Sequence, residues 1–581
     1  MAPSPRGVLL LLAAGCTASR APSPGEIRPE RVLDHARVLA TDIGPRPANE
    51  EAAARAAAYI EGQLAGNLAV ERVAVGHVEI PPMDVGPFRW MEAGAIDVAD
   101  DDLVVRFAGD GPALVLMAHY DSVPGSPGAA DNAAAVGILL ELARALAVRP
   151  PARPVVIAFT ASEERGLAGA RALAPFLLKN GPRVGLAVSL DLVGAARTAV
   201  NGLSGLIGRP WLRWIAARID ESGADIEVPV PHRIVSRLAP AAERSDHGAF
   251  TERGIPAFHL YGRGEGRIYP PYHSQWDTPE RLDPGAIDGA ARLAVALARS
   301  TAPFPAAGGD AGAWIPGTSV ILPTGLVQGI EAALAAVAVF LLFFMWRSGG
   351  PRARGRGPGL LAVAVLVVLL WCLAQLVLTL ARGAHPRPWV HIPLAATLMI
   401  AGVVASGAAL AWLSPLGRFR LIGRRRFAAA AALPLLAAGA GLLAIGAHEI
   451  AWLPIASAVL LCAGALAPRR AVPLLLFGLS LAPLLFALAP SFLREAAFNG
   501  FLPPAVPLPF FLAILLTPHA IAAAPLLARA LPPRAALPRW SAAVPAAVLV
   551  AIALAAAVSF RHLPCDAGSF QQLGIACEVA P

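Results

Sequence analysis

The chain has 581 residues, 56% hydrophobic and 15% charged, with a formal net charge of +8. Soluble domains carry about 25% charged residues, so the composition excludes both an ordinary soluble enzyme and a disordered protein. Asp and Glu fall almost entirely before residue 310, and the remainder of the chain is rich in Ala, Leu and Val with clustered Arg, which divides the protein into a water-facing and a lipid-facing part. The excess positive charge is no argument for nucleic acid, because blocks such as Arg424, Arg425 and Arg426 adjoin long apolar runs, where membrane topology accounts for them.

Residues 1–16 hold a basic Arg6, an apolar core from Val8 to Ala14 and then Gly15-Cys16, the layout of a bacterial export signal. The core is too short for a spanning helix, which needs about 20 residues. Cys16 after Ala-Ala-Gly fits a lipoprotein cleavage site, although Ala13 stands where Leu is usual, so lipidation, plain cleavage and an uncleaved anchor all stay open.

Residues 17–310 form the expected water-facing domain. After the turn-forming Gly44-Pro45-Arg46-Pro47, residues 49–64 read as a helix. Strands are predicted at 114–118, 155–159, 186–190 and 255–260, alternating with helices at 132–146 and 167–178. That alternation predicts an α/β protein, a three-layer α/β/α sandwich with a mixed central sheet. His119 and Asp121 directly follow the first of these strands, Glu163 and Glu164 the second, and Asp191 ends the third. In open α/β sheets the functional crevice lies beyond the carboxyl ends of the strands, so residues distant in sequence converge there. Each has a plainer alternative: Glu163-Glu164 could head a helix, Asp131-Asn132 could be an N-cap, and a single His-x-Asp pair is common.

A linker is expected at 311–325 and a membrane domain at 326–560. Eight apolar runs there are long enough to span a bilayer: 326–346, 359–381, 389–412, 427–447, 450–468, 471–489, 508–528 and 541–560. If the water-facing domain lies outside the cytoplasm, the inner connections hold fourteen arginines, Arg347 and Arg539 among them, and the outer ones four, Arg382, Arg387, Arg494 and Arg561. This positive-inside bias predicts a multi-pass protein of a bacterial inner membrane, with residues 17–320 and the tail 561–581 on the periplasmic side. Of the five cysteines, Cys372 and Cys462 read as small core hydrophobes, and Cys565 and Cys577 as a disulfide suited to an oxidising compartment. Glu331, Gln375 and His391 are too few to suggest a transport path. Gly439-x-Gly441 lies within an apolar run and reads as close helix packing rather than a nucleotide loop.

Taken together, His119-Tyr-Asp121-Ser-Val, Pro127-Gly-Ala-Ala-Asp131-Asn132, Ser162-Glu163-Glu164-Arg-Gly-Leu, Ser189-Leu-Asp191-Leu-Val-Gly194, Ser245-Asp246-His247 and Tyr272-His273-Ser-Gln-Trp-Asp277-Thr resemble metallopeptidase family 28, the two-zinc aminopeptidases. The resemblance spans roughly residues 30–300. The layout is similar to that of the endoplasmic-reticulum membrane metallopeptidases of the family. It implies two Zn2+ ions, one held by His119 and Asp191, the other by Glu164 and His273, with Asp131 bridging both. It further implies Glu163 as general base, Asp121 as the carboxylate that orients His119, and Tyr272 as hydroxyl donor to the tetrahedral oxyanion, with Tyr269 a nearby alternative. Ser245-Asp246-His247 helps shape the site and is no hydrolase triad, since consecutive residues cannot fold onto one another in that way. Ala134-Ala135 stands where the family often has a small polar residue and Gly, which removes no ligand.

The function so implied is removal of N-terminal residues from peptides by a membrane-anchored zinc exopeptidase, with peptide and lipid bilayer as partners. Three other readings are a catalytically silent receptor or scaffold, a glutaminyl-cyclase-like zinc enzyme, and a transporter with a regulatory domain. A carboxylate-rich ligand set would also accept cobalt or manganese. Side-chain preference is expected to rest on the loops 203–243 and 262–271.

Overall fold

The computed structural model describes residues 26–81, 83–85, 88–91, 94–201, 208–227, 245–263, 269, 271–306, 312–314, 321–347, 424–444, 448–466, 475–476 and 479–480. Helices α1 (Pro29–Arg37) and α2 (Glu51–Leu64) lead into β1 (Val70–Ile80), the short hairpin β2 (Met83–Val85) and β3 (Phe88–Met91), and the long strand β4 (Gly94–Phe107). Then come β5 (Ala113–His119), α3 (Ala134–Val148), β6 (Val155–Thr160), α4 (Ala168–Asn180), β7 (Val184–Asp191) and β8 (Arg197–Asn201). The domain closes with α5 (Arg209–Ser222), β9 (Ile226–Glu227), α6 (His247–Thr251), β10 (Ala257–Arg263) and α7 (Pro284–Arg299).

Eight strands form one sheet in the order β1-β4-β6-β5-β7-β10-β8-β9. The central β6, β5, β7 and β10 run parallel, whereas β1 pairs antiparallel with β4, β4 with β6, and β8 with β10. The mixed sheet is thus as predicted. Strands β5 and β6 are buried along their whole length, as continuous apolar runs covered on both faces require. Alternation sorts their side chains. Leu114, Leu116 and Ala118 join a core with α1, α2, α3, α5 and α7, while Val115 and Met117 join a second one with Leu173 and Leu177 of α4 and Phe250 of α6. Helices cover both faces, giving the expected three layers.

The chain leaves β5 for β6 on one side by way of α3, then crosses by way of α4 to β7 on the other. This topological switch opens a crevice at the carboxyl ends of the three strands. The helix expected from residue 132 starts later, because Asp131 (φ −118°, ψ 75°) and Asn132 (φ −143°, ψ 32°) are not helical. The peptide between them is cis.

Beyond the domain, β11 (Ala313–Trp314) pairs with β12 (Ile321–Leu322) and leads into α8 (Thr324–Arg347). Ile321 is buried in the main core, its carbonyl accepts from Arg209 Nε at 3.2 Å, and Thr324 Oγ1 accepts from Gly312 N at 2.9 Å. Helix α8 therefore starts directly from the domain. Helices α9 (Arg424–Ala444) and α10 (His448–Leu466) pack with α8. These three coincide with the apolar runs expected at 326–346, 427–447 and 450–468. Among the described residues one helix, Thr324–Met345, is long and apolar enough to cross a membrane, and it exposes Val339, Phe340 and Phe343. A Cβ on Gly439 would meet Ile455 Cγ1 at 2.5 Å, the close helix approach expected there. Cys462 is a buried free thiol. The export signal, the runs at 359–381, 389–412, 508–528 and 541–560, nearly all of 471–489, and Cys16, Cys372, Cys565 and Cys577 lie outside the described residues.

Candidate metal centre

Three strand ends and two loops deliver the predicted residues to a single place. His119 is the last residue of β5 and Asp191 of β7, Glu163 and Glu164 follow β6 in a short 3-10 turn, and Asp131 precedes α3. His273 arrives from the loop before α7. Backbone strain gathers here: Ser162 (φ 56°), Leu192 (φ 52°) and His273 (φ 56°) occupy the left-handed region, which side-chain-bearing residues rarely visit. Each is, or adjoins, a predicted ligand or the predicted base. Such outliers cluster where function holds the backbone in place.

The two oxygens of Asp131 face different imidazoles. His119 Nε2 lies 3.2 Å from Asp131 Oδ1 and His273 Nε2 lies 3.3 Å from Asp131 Oδ2. Around His119 Nε2, Asp191 Oδ1 stands at 3.7 Å, and around His273 Nε2, Glu164 Oε2 stands at 3.2 Å. His119, Glu163 and Asp191 offer ligand atoms all within 4.8 Å of one another, and so do Asp131, Glu164 and His273. His119 and Asp131 are buried at 1% and 4% exposure, whereas Asp191, Glu164 and His273 keep partial exposure.

The arrangement suits divalent metal. His119 Nε2, His273 Nε2 and Glu164 Oε1 are buried without a hydrogen-bond partner among the described residues, which is costly unless something else satisfies them. Their separations from neighbouring carboxylate oxygens are those of atoms sharing an ion: at bond lengths near 2.0–2.1 Å, tetrahedral ligands stand about 3.3–3.4 Å apart. Imidazole with carboxylate is a donor set that zinc accepts.

The charges confirm the crowding. Burial disfavours an ionised Asp131, but the His119 and His273 imidazoles outweigh it and hold the carboxyl well below the usual carboxylate range. Burial likewise opposes protonation of His119, yet Glu163, Asp121, Asp131 and Asp191 together raise its pKa well above the ordinary histidine value. His273 behaves the same way beside Glu164 and Asp131. Burial pushes Glu163 well above the ordinary glutamate value, helped by Glu164, Asp191 and Asp246 and opposed by His119. Burial also raises Glu164 and, with the surrounding carboxylates, keeps the Tyr272 phenol protonated far up the pH scale.

The N-cap reading of Asp131-Asn132 does not hold, whereas Glu163 and Glu164 do open a short 3-10 turn. Neither Ser162 nor the residues around Asp131 make a side-chain helix cap. Instead Asn132 Nδ2 donates to Leu190 O at 2.8 Å, tying the Asp131 turn to β7. The Asp121 carboxylate accepts from Glu163 N at 3.0 Å and Glu164 N at 3.2 Å. The nearest acceptor to His119 Nδ1 is the Asp121 carbonyl at 3.2 Å, with the carboxylate oxygen at 3.5 Å. Tyr272 stacks on the His273 ring with centroids 3.7 Å apart, whereas the Tyr269 hydroxyl donates to Asp277 at 3.2 Å.

Around the site, the partners of several residues were not specified by the sequence, those of Asp246 and His247 in the expected site-shaping motif among them. Asp246 accepts a short hydrogen bond from the Thr160 hydroxyl, and burial pushes its pKa up to about 7. His247 and His259 stack with centroids 5.1 Å apart under β7, His247 Nδ1 lying 3.2 Å from Ser189 Oγ. Arg46 and Asp277 are fully enclosed. Asp277 stands inside a motif already singled out, and Arg46 inside a proline-rich turn, but only tertiary packing shows what they hold. Of the expected specificity loops, residues 202–207, 228–244, 264–268 and 270 lie outside the described residues.

Fold and site define an α/β domain with a buried centre for divalent metal, and residues 102–298 match the model of Peptidase family M28. The matched stretch holds all five candidate ligands, His119, Asp131, Glu164, Asp191 and His273. Aminopeptidase YwaD of Bacillus subtilis is 30% identical over 191 residues, which are 32% of this chain and 40% of that protein. A vacuolar membrane protease of Candida albicans is 41% identical over 105 residues, 17% of this chain and 12% of that protein. The chain therefore spans well under half the length of these relatives. The crystal structure of BSAP, a zinc aminopeptidase from Bacillus subtilis, matches with a TM-score of 0.37 at 18% identity, covering 46% of this chain and 94% of that one.

Proposed function

We propose that the chain is a membrane-anchored, two-zinc exopeptidase that removes N-terminal residues from peptides. The observation that carries this reading is the pair of imidazoles meeting opposite oxygens of Asp131 with Glu163 beside them. His119 and Asp191 would hold one ion, Glu164 and His273 the other, and Asp131 both. Zinc bound by these residues would supply acidification of a water molecule and polarisation of the scissile carbonyl.

The protein's own groups do the rest. Glu163, its basicity raised by burial, takes a proton from the attacking water and returns it to the leaving amine. Asp121 fixes where Glu163 and Glu164 stand, through their backbone N–H groups. The Tyr272 hydroxyl, kept protonated, donates to the oxygen that becomes negative. The carboxylates clustered there would favour the positive amino terminus of a peptide.

The arginine bias and the lipid-like exposure of Val339, Phe340 and Phe343 on α8 support anchoring in a bacterial inner membrane with the domain on the periplasmic side. The test of function is mass spectrometry of a mixed peptide library incubated with purified, zinc-loaded protein, beside Glu163→Gln. Stepwise loss of N-terminal residues by the wild type alone is the expected result. In the variant both metals stay bound and turnover falls at least about 100-fold, the scale of general-base catalysis. Cleavage by neither protein, with zinc bound, would replace this reading by cyclase chemistry or a binding role.

A further inference from the structure

We propose that Arg46 and Asp277 act as paired positioning residues for Asp131, gripping the backbone of residues 127–131 from two sides. The inference rests on the metal reading of the site above, in which Asp131 must present one oxygen to each imidazole.

Asp277 takes the N–H groups. Its Oδ1 accepts from Ala130 N at 2.9 Å, its Oδ2 from Asp131 N at 3.0 Å, and its carbonyl from Ala129 N at 3.1 Å. Arg46 takes the carbonyls. Its guanidinium donates to Pro127 O at 2.6 Å and Gly128 O at 3.0 Å, and anchors itself on Tyr120 O at 2.9 Å, Leu39 O at 2.8 Å and Gly44 O at 3.0 Å. An anion therefore faces the amide hydrogens and a cation the amide oxygens of one short segment, each at the end that the peptide dipoles favour. Both side chains are completely buried, where such charge-assisted bonds are strong and their loss leaves unpaired groups.

The segment needs this grip. Asp131 and Asn132 stand at non-helical backbone angles inside one irregular turn, yet the two Asp131 oxygens must stay 3.2 and 3.3 Å from nitrogens on different elements. A small backbone rotation would turn one oxygen away. Gly128 completes the fit: it sits at φ +63°, and a Cβ there would meet Asp131 O at 2.4 Å and Arg46 Nη2 at 3.0 Å. Asp277 also lies in the loop that carries His273, so the clamp joins the bridging ligand to another ligand of the same ion.

The test uses the full chain in detergent, stripped of metal and titrated with zinc against a chromophoric chelator, with thermal unfolding of the stripped protein alongside. Asn at position 277 keeps one acceptor and turns an NH2 toward an N–H, and Lys at position 46 cannot span five carbonyls. Asp277→Asn is expected to weaken zinc binding about 10- to 100-fold, the usual effect of removing a group that supports a ligand. Arg46→Lys, a milder change, is expected to weaken it about fivefold or more and carries the test if Asp277→Asn does not fold. Asp283→Ala, which removes the α7 cap bonds to Gly285 N and Ala286 N, is the control and should lower the unfolding temperature with zinc affinity unchanged. Zinc affinity within about twofold of wild type in both clamp variants overturns the proposal. So does an equal loss in the Asp283→Ala control, which would mean general loosening. A wild type that takes up no zinc overturns the metal reading and the clamp with it, whereas wild-type uptake with unaltered variants overturns the clamp alone.

Discussion

Asp121→Asn separates two jobs that one carboxylate could do. Were the side chain chiefly an orienter of His119, Asn would largely serve, since its oxygen could still accept from Nδ1. The structure instead spends both oxygens on backbone N–H groups, Glu163 N at 3.0 Å and Glu164 N at 3.2 Å, inside a site where Asp121 is 1% exposed. Each bond to a buried carboxylate contributes about 1.5–3 kcal/mol net. Asn retains one neutral bond of about 0.5–1.5 kcal/mol and sets its NH2 against the other N–H. The difference is roughly 2–4 kcal/mol, or a fall of roughly 4–16 °C in Tm for a domain of this size. Because the freed backbone carries both Glu163 and Glu164, turnover should fall with it, by at least about tenfold. Thermal unfolding of metal-stripped full-length protein in detergent reads the first quantity, and peptide hydrolysis of the zinc-loaded protein the second. A variant within about 0.5 kcal/mol of wild type with normal turnover would refute the clamp role and return Asp121 to the orientation of His119.

The other expectations concern metal and protons. Asp131→Ala should lose zinc from both positions in elemental analysis, because one change strips a ligand from each ion; two bound ions per chain in that variant would contradict the bridge. Removing metal with a chelator should lower Tm and abolish hydrolysis, both restored by zinc, since the crowded carboxylates then repel one another uncompensated; a chelated protein with unchanged Tm would count against the centre. Burial lowers His259 from 6.5 to about 4, so the unfolded chain binds this proton first and stability is full above pH 6.5. It is lost as pH falls from 6.5 to 4, by about 3 kcal/mol at about 1.4 kcal/mol per pH unit. His247, held well below its ordinary value by burial and by His259, adds in the same direction. His259→Gln should flatten that limb of a chelated protein's stability profile, and an unchanged slope would show that other groups set it.

The ligands were legible in the sequence because chemistry and topology both leave local marks. His119, Glu163, Glu164 and Asp191 stand immediately beyond β-rich apolar runs, and a strand end is where an α/β sheet puts its working residues. Continuous apolar runs announced the central strands, since burial on both faces removes the alternation that exposed strands show. The edge strand β1 was not foreseen, because the half-exposed pattern of Val70–Ile80 resembles the surface of many elements.

The sequence alone determined the class of fold, the compositional contrast between a charged first part and an apolar second part, and the identity of the metal-ligand candidates. Tertiary structure decided which atoms meet. It directed the Asp121 carboxylate to the Glu163 and Glu164 amides, committed the Tyr269 hydroxyl to Asp277 and so left Tyr272 beside His273, and brought Arg46 and Asp277 to the two sides of one turn. The reason is physical. Residue type fixes what a side chain can bond, and hydrophobic period fixes which face it takes, but a buried polar group's partner depends on distances between separate segments, 146 residues apart for Asp131 and Asp277, which only the packed sheet and helices set.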